Sequence, residues 1–185
     1  MVVVVGGHAR KIGKTSVVCA VIRALPDWHW TAIKISQHSH SEEIGPSATP
    51  DSSRFLAAGA ARAFWIEGLK DLMPEVLPII AGSENTIIES NTIRRFLDPD
   101  LTAMVVNGSV PDLKSSTLWF LEQADVLVTT SAEPPAWPWI PEILLQNKPQ
   151  FLALPPLYEN AAFIEKIRSR KTIRDPKDLR SNGRS

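Results

Sequence analysis

Residues 7–16 read Gly7-His8-Ala9-Arg10-Lys11-Ile12-Gly13-Lys14-Thr15-Ser16. A glycine-bounded loop that ends in Gly-Lys-Thr and opens a helix is built to hold phosphate. Successive backbone N–H groups and the positive end of the helix converge on an anion. In such a loop Lys14 reaches the β- and γ-phosphates, and Thr15 binds Mg²⁺ through its hydroxyl. Ser16 caps the helix start and is placed to touch the α-phosphate. The common spacing is G-x-x-x-x-G-K-[ST]. Here His8 stands at the first glycine position, and Gly7 lies one residue further back. The chemistry expected is binding of a nucleoside triphosphate, ATP or GTP, with Mg²⁺.

Other residues could complete that chemistry, each with a plainer alternative. Arg10 and Lys11 point from the loop either into solvent or across the phosphates, where a cation in cis or across a dimer stabilises transferring charge. Lys14, Lys11 and Glu89 are thus the candidate catalytic set. Glu89 ends the run Thr86-Ile87-Ile88, the place for a carboxylate in the magnesium shell or for a helix cap. Asp51 is a second candidate metal carboxylate, or the N-cap of the helix that Ser52, Ser53 and Arg54 begin. Asn107 is a candidate base reader, although the guanine-specific N-K-x-D spacing is missing and Asn107-Gly108 also reads as a turn. His38 and His40 share one face of an extended segment. They are read as substrate or phosphate contacts, as zinc ligands short of partners, or as plain loop residues.

These residues need a frame. Strands are expected at 2–5, 31–35, 63–66, 86–89, 103–106, 126–129 and 151–154. Several are nearly continuous apolar runs, as for strands covered on both faces. Helices are expected at 14–25, 52–61, 73–80, 116–123, 141–146 and 160–170, the first being apolar almost all round and stopped by Pro26. Gly59 inside the second suggests close packing or an early end. Alternating strands and helices imply a three-layer α/β fold with a mostly parallel central sheet flanked by helices. Ligands bind beyond the carboxyl ends of such strands. Residues 7–14, 37–40, 89–91 and 107–112 should therefore meet at one edge. Residues 36–53 read as a loop near the phosphates. Residues 133–141 hold four prolines beside Trp137 and Trp139 and read as a rigid cover over an edge.

The chain of 185 residues is expected to form one domain over 1–170 with a basic tail over 171–185. Residues 166–185 carry eight Lys/Arg against two Asp, while the whole chain has no net charge. Balanced charge gives no reason to expect nucleic acid as partner. No apolar run is long enough to span a membrane, and no signal-peptide layout opens the chain, so a cytoplasmic protein is expected. The single cysteine, Cys19, falls in the apolar first helix and reads as a buried thiol.

Two further segments carry a resemblance. Ala32-Ile33-Lys34-Ile35 leads into Ser36-Gln37-His38-Ser39-His40, and later comes Asp51-Ser52-Ser53-Arg54-Phe55-Leu56-Ala57-Ala58-Gly59-Ala60. With the phosphate loop, these resemble MobB, the P-loop protein of molybdopterin-guanine dinucleotide biosynthesis, over residues 1–90. The long loop spacing is similar to that of dethiobiotin synthetase. Some members of this class carry an extra signature lysine; Ala9 holds that position here, with Arg10 and Lys11 nearby. Where MobB proteins tend to have Glu-Gly after the fourth strand, this chain has Glu89-Ser90-Asn91.

The resemblance implies a P-loop NTPase fold, a homodimer, GTP or ATP binding, weak hydrolysis, and a partner in molybdenum-cofactor biosynthesis. The rival is an ATP-dependent ligase or kinase acting on a small acid. A third reading is a switch in which nucleotide orders residues 37–50 and exposes a partner surface.

Overall fold

The computed structural model describes residues 1–36, 51–67, 72–112, 115–133, 144–145 and 147–171. His38, His40, the loop 37–50, residues 134–143 with most of the helix expected at 141–146, and the tail from 172 lie outside the described residues. The side chain of Asp51 lies outside them too.

Valine, isoleucine and leucine dominate the sheet because most of its strands are covered on both faces. The strands are β1 (Val2–Gly7), β2 (Trp30–Ser36), β3 (Arg62–Glu67), β4 (Asn85–Glu89), β5 (Leu101–Val106), β6 (Val126–Thr129) and β7 (Gln150–Leu152). They form one sheet in the order β3-β2-β4-β1-β5-β6-β7. Every pairing is parallel, so the expected mostly parallel sheet is wholly parallel among the described residues. The last strand ends at Leu152, two residues before its expected end.

Five helices cover the sheet among the described residues: α1 (Lys14–Ala24), α2 (Asp51–Ala57), α3 (Leu72–Ala81), α4 (Thr117–Gln123) and α5 (Ala161–Lys171). Side-chain alternation along the strands builds two cores. Val3 and Val5 pack with α1, Phe55 of α2, and Phe163, Ile164 and Ile167 of α5. Val4 and Ile88 pack on the other face with Leu72 and Val76 of α3 and Phe120 and Leu121 of α4. The result is three layers, helix–sheet–helix. Residues 17–22 of α1 are all buried, as a helix wedged between sheet and neighbouring helices requires.

The second helix stops at Ala57, earlier than the expected 61. Gly59 has φ 105, a left-handed conformation that glycine adopts at no steric cost. Ala60 N–H then bonds back to the Phe55 carbonyl, and Ala61 N–H joins Trp30. This sharp exit lets β3 start at Arg62. At the other end, Lys171, expected as the first tail residue, closes α5.

Candidate functional site

Between β1 and α1 the chain makes a loop over residues 8–13. Gly13, not Ser16 as expected, is the N-cap of α1; it has φ 93, and the helix has no side-chain cap and no acidic residue in its first turn, Ser16 lying one position inside Thr15. The first N–H groups of a helix have no intrahelical acceptor. At α1 they belong to a backbone pre-shaped by Gly13, beside a lysine. The Tyr158 ring lies over Gly13, and a Cβ there would come within 2.7 Å of its Cε1.

The loop is braced from several strand ends. Asn91, just beyond β4, accepts from the Gly7 N–H and donates to the Gly7 carbonyl, both at 2.8 Å. Thr117 of α4 donates to the His8 carbonyl at 3.1 Å. Thr130, after β6, donates to the Ile12 carbonyl at 2.8 Å. The His8 side chain is fully buried. Its Nε2 accepts from the Asn107 N–H at 3.1 Å, so the Nδ1 proton is the one directed at the Asp112 carbonyl, 2.9 Å away. This tautomer is neutral. The imidazole standing at the glycine position thus ties the loop to the segment after β5.

Ala9 and Ile12 are buried as well, while Arg10 and Lys11 are exposed at the loop tip. Lys11 has φ 57. What His8, Ala9 and Ile12 can offer an anion is therefore their backbone. Lys14 Nζ donates to the Ala9 carbonyl at 2.5 Å, folded back along the loop.

Beside the loop, Lys34 of β2 and Glu89 of β4 form a polar cluster with Thr15 of α1, on the face that α1 covers. Glu89 lies opposite Val5 and opposite Lys34 in the parallel register. Its Oε2 accepts from Thr15 Oγ1 at 2.8 Å. Its Oε1 lies 3.2 Å from Lys34 Nζ, in a pair whose side chains are 6% and 18% exposed. Hydroxyl and carboxylate are hard oxygen donors, the set that Mg²⁺ takes together with phosphate oxygens and water. Among the described residues no group of three or more His, Cys, Asp or Glu could hold a metal by itself. A metal here would share its shell with a ligand.

The structure brings Gly7, Gly13, Lys14, Thr15, Ser16 and Glu89 to one edge of the sheet. Asn107 follows β5, and its Oδ1 accepts from the Ser109 N–H at 3.0 Å, an Asx turn. Lys34, Arg54, Asn91 and Tyr158 reach the same region without having been assigned a role from the sequence. Lys34 had a legible signal, a lysine inside the apolar run Ala32-Ile33-Lys34-Ile35. Asn91 was placed at this edge by following the fourth expected strand, but its contact with Gly7 across 84 positions was not legible, and Tyr158, which meets Gly13 across 145 positions, had no signal. Ser90, at the departure from Glu-Gly, accepts from the N–H groups of Thr92 and Ile93, at the entry to the single 3-10 turn Ile93–Arg95.

No helix among the described residues is long and apolar enough to cross a membrane. No family model matches the chain, and no curated protein matches it. Solved structures do. HypB from Helicobacter pylori in complex with nickel is 14% identical, with a TM-score of 0.58 over 99% of this chain and 91% of that one. The hydrogenase maturation factor HypB from Archaeoglobus fulgidus is 14% identical, with a TM-score of 0.61 over 91% and 89%. FlhF complexed with GMPPNP and Mg²⁺ is 12% identical, with a TM-score of 0.51 over 90% and 73%. These likenesses, with the wholly parallel sheet and the loop between β1 and α1, show that the chain has the three-layer α/β fold of the P-loop NTPases.

Proposed function

We propose that this protein is a MobB-like nucleoside-triphosphate-binding protein that takes GTP or ATP with Mg²⁺. In this reading it hydrolyses the nucleotide slowly and acts with a partner in or near molybdenum-cofactor biosynthesis. The observation that carries nucleotide binding is the contact of Thr15 with Glu89 beside the uncapped first turn of α1. That pairing sets a metal-binding hydroxyl and carboxylate next to an anion-binding backbone. The pathway rests on Ile33-Lys34 and the segment Asp51 to Ala60, which resemble MobB. A homodimer and cytoplasmic location belong to the same proposal.

In this mechanism the backbone from Gly7 to Ser16 cradles the phosphates, and Lys14 leaves the Ala9 carbonyl for the β- and γ-phosphates. Thr15 and Glu89 would hold Mg²⁺, with Asp51 proposed as a further carboxylate. Bound there, the metal would neutralise charge on the β- and γ-oxygens. Arg10 and Lys11, exposed at the loop tip, add cations to the γ-phosphate in cis or across a dimer. Asn107 is assigned to the base.

A second reading, an ATP-dependent ligase or kinase related to dethiobiotin synthetase, is favoured by Lys34. Its ammonium beside Glu89 offers a charge partner to a small carboxylic acid. Thermal stability against ATP, GTP and CTP, with and without Mg²⁺ and beside Lys14→Ala, tests the proposal, because ligands raise stability by mass action. A magnesium-dependent shift absent in Lys14→Ala supports it. No shift with any nucleotide overturns it. Turnover that requires a small acid selects the second reading.

A further inference from the structure

We propose that Lys34 is a positioning residue for the Glu89 carboxylate: it holds Oε1, so that Oε2 stays turned to Thr15 and to Mg²⁺ brought in with the nucleotide. The inference rests on the nucleotide-binding reading above. Lys34 and Glu89 stand directly opposite each other in the parallel register of β2 and β4, so both side chains leave the sheet on one face. Lys34 Nζ donates to Glu89 Oε1 at 3.2 Å. Thr15 Oγ1 donates to Oε2 at 2.8 Å. Each carboxylate oxygen thus has a partner of its own, one from the sheet and one from the first turn of α1.

Packing alone does not call for a lysine here. The same face carries Val3, Val5, Ala32 and Ile87, all fully buried in the core under α1. Val5 stands opposite Glu89 on its other side. An ammonium and a carboxylate lose hydration in such surroundings, and an apolar pair of similar volume is often no less stable. What the charged pair supplies is direction. The last torsion of a glutamate is broad, and anchoring Oε1 keeps Oε2 in one orientation. Carboxylates that ligate metals depend on such outer partners, whose loss weakens metal binding about ten- to hundredfold.

The two charges also cancel. Among the described residues no group of three or more His, Cys, Asp or Glu could hold a metal by itself. A metal here would take the rest of its shell from phosphate and water, so the aim of one carboxylate oxygen matters more than added negative charge. Repulsion between the ammonium and Mg²⁺ acts in the opposite direction. The sign of the change on removing Lys34 therefore separates aiming from repulsion.

The test is calorimetric binding of GTP and ATP, in Mg²⁺ and in EDTA, to the full chain and to Lys34→Met, Lys34→Arg, Glu89→Gln and Lys34→Met/Glu89→Gln. Melting without ligand checks that each variant is folded. The readout is the ratio of affinity with Mg²⁺ to affinity without it. In Lys34→Met this ratio falls about tenfold or more, and Lys34→Arg recovers part of it. The double variant carries neither charge and keeps the test open if Lys34→Met alone unfolds. Its ratio equals that of Glu89→Gln, because Lys34 acts through Glu89. A ratio in Lys34→Met equal to wild type, as a merely structural role would give, overturns the inference and leaves nucleotide binding standing. A higher ratio assigns repulsion to Lys34 and overturns it too, as does a further loss in the double variant. A wild-type chain that binds nucleotide with no gain from Mg²⁺ overturns the inference and the metal site together. Failure of the wild-type chain to bind any nucleotide overturns the whole reading.

Discussion

Asn91 pairs with both backbone groups of Gly7, accepting from its N–H and donating to its carbonyl at 2.8 Å each. The carboxamide copies a backbone partner at the point where β1 gives way to the loop. It therefore fixes the start of the loop between β1 and α1.

Asn91→Ala leaves the Gly7 N–H and carbonyl without these partners. The expected cost is about 1–3 kcal/mol of stability, read as a lower urea midpoint. Nucleotide affinity falls with it, because the loop is no longer held in one geometry. An unchanged midpoint would show that water replaces the carboxamide.

Lys14→Ala has the opposite signature. Lys14 Nζ bonds the Ala9 carbonyl, a contact at the edge of the loop, so ligand-free stability changes little. Nucleotide at about a hundred times its dissociation constant stabilises the wild type by about 2.7 kcal/mol, and this gain vanishes in the variant. A nucleotide shift that survives Lys14→Ala would place the ligand elsewhere.

Glu89→Gln separates metal from fold. Glu89 and Lys34 form a largely buried ion pair, and breaking it by removing the carboxylate charge costs about 3 kcal/mol. Adding Lys34→Met removes the opposing charge of the broken pair and restores part of that stability. It does not restore the dependence of nucleotide affinity on Mg²⁺. If Glu89→Gln keeps that dependence, the carboxylate is not in the metal shell.

His8→Ala strips the Asn107 N–H of its acceptor and empties a fully buried position. A loss of about 1–3 kcal/mol is expected for the unsatisfied donor alone. Hydrogen exchange at Asn107 should speed up in the variant. Exchange as slow as in wild type would mean that another group protects this amide.

The pH profile reports on the far side of the sheet. Lys171 donates to Glu84 Oε1 at 3.1 Å. Its hydrogen bond and charge hold the Glu84 carboxyl below the usual carboxylate range. A lowered folded-state pKa contributes stability above the unfolded value, lost as pH falls through the folded one. The melting difference between wild type and Lys171→Ala should therefore be present at neutral pH and close as pH drops below the carboxylate range. The effect is small, since the pair is exposed. A difference that does not shrink in acid would assign it to the Lys171 contact with the Trp28 ring, at 4.5 Å.

Much of the frame was legible because it depends on short-range pattern. Every expected strand is found within two residues of its expected ends, since continuous valine and isoleucine runs can only be covered on both faces. The helix opened by Lys14 and stopped before Pro26 follows from the glycine ahead of it and the proline behind it. The early end of α2 was harder to read. Gly59 signalled a break, but where the helix stopped depended on Ala60 and Ala61 finding partners in Phe55 and Trp30.

By itself, the order of residues determined the parallel α/β class and the loop with its lysine, threonine and downstream carboxylate. Those features are local, and phosphate chemistry requires the residue types in sequence. The tertiary structure alone decided which distant groups hold that loop. Asn91 meets Gly7, Thr130 meets Ile12, Arg54 meets Ser16 and Lys34 meets Glu89. Each pair is separated by tens of residues and is joined because β1 sits between β4 and β5, with α1 laid across them. The role of His8 was decided in the same way. A buried imidazole is tolerable only where two backbone groups satisfy it, and those groups come from the far side of β5.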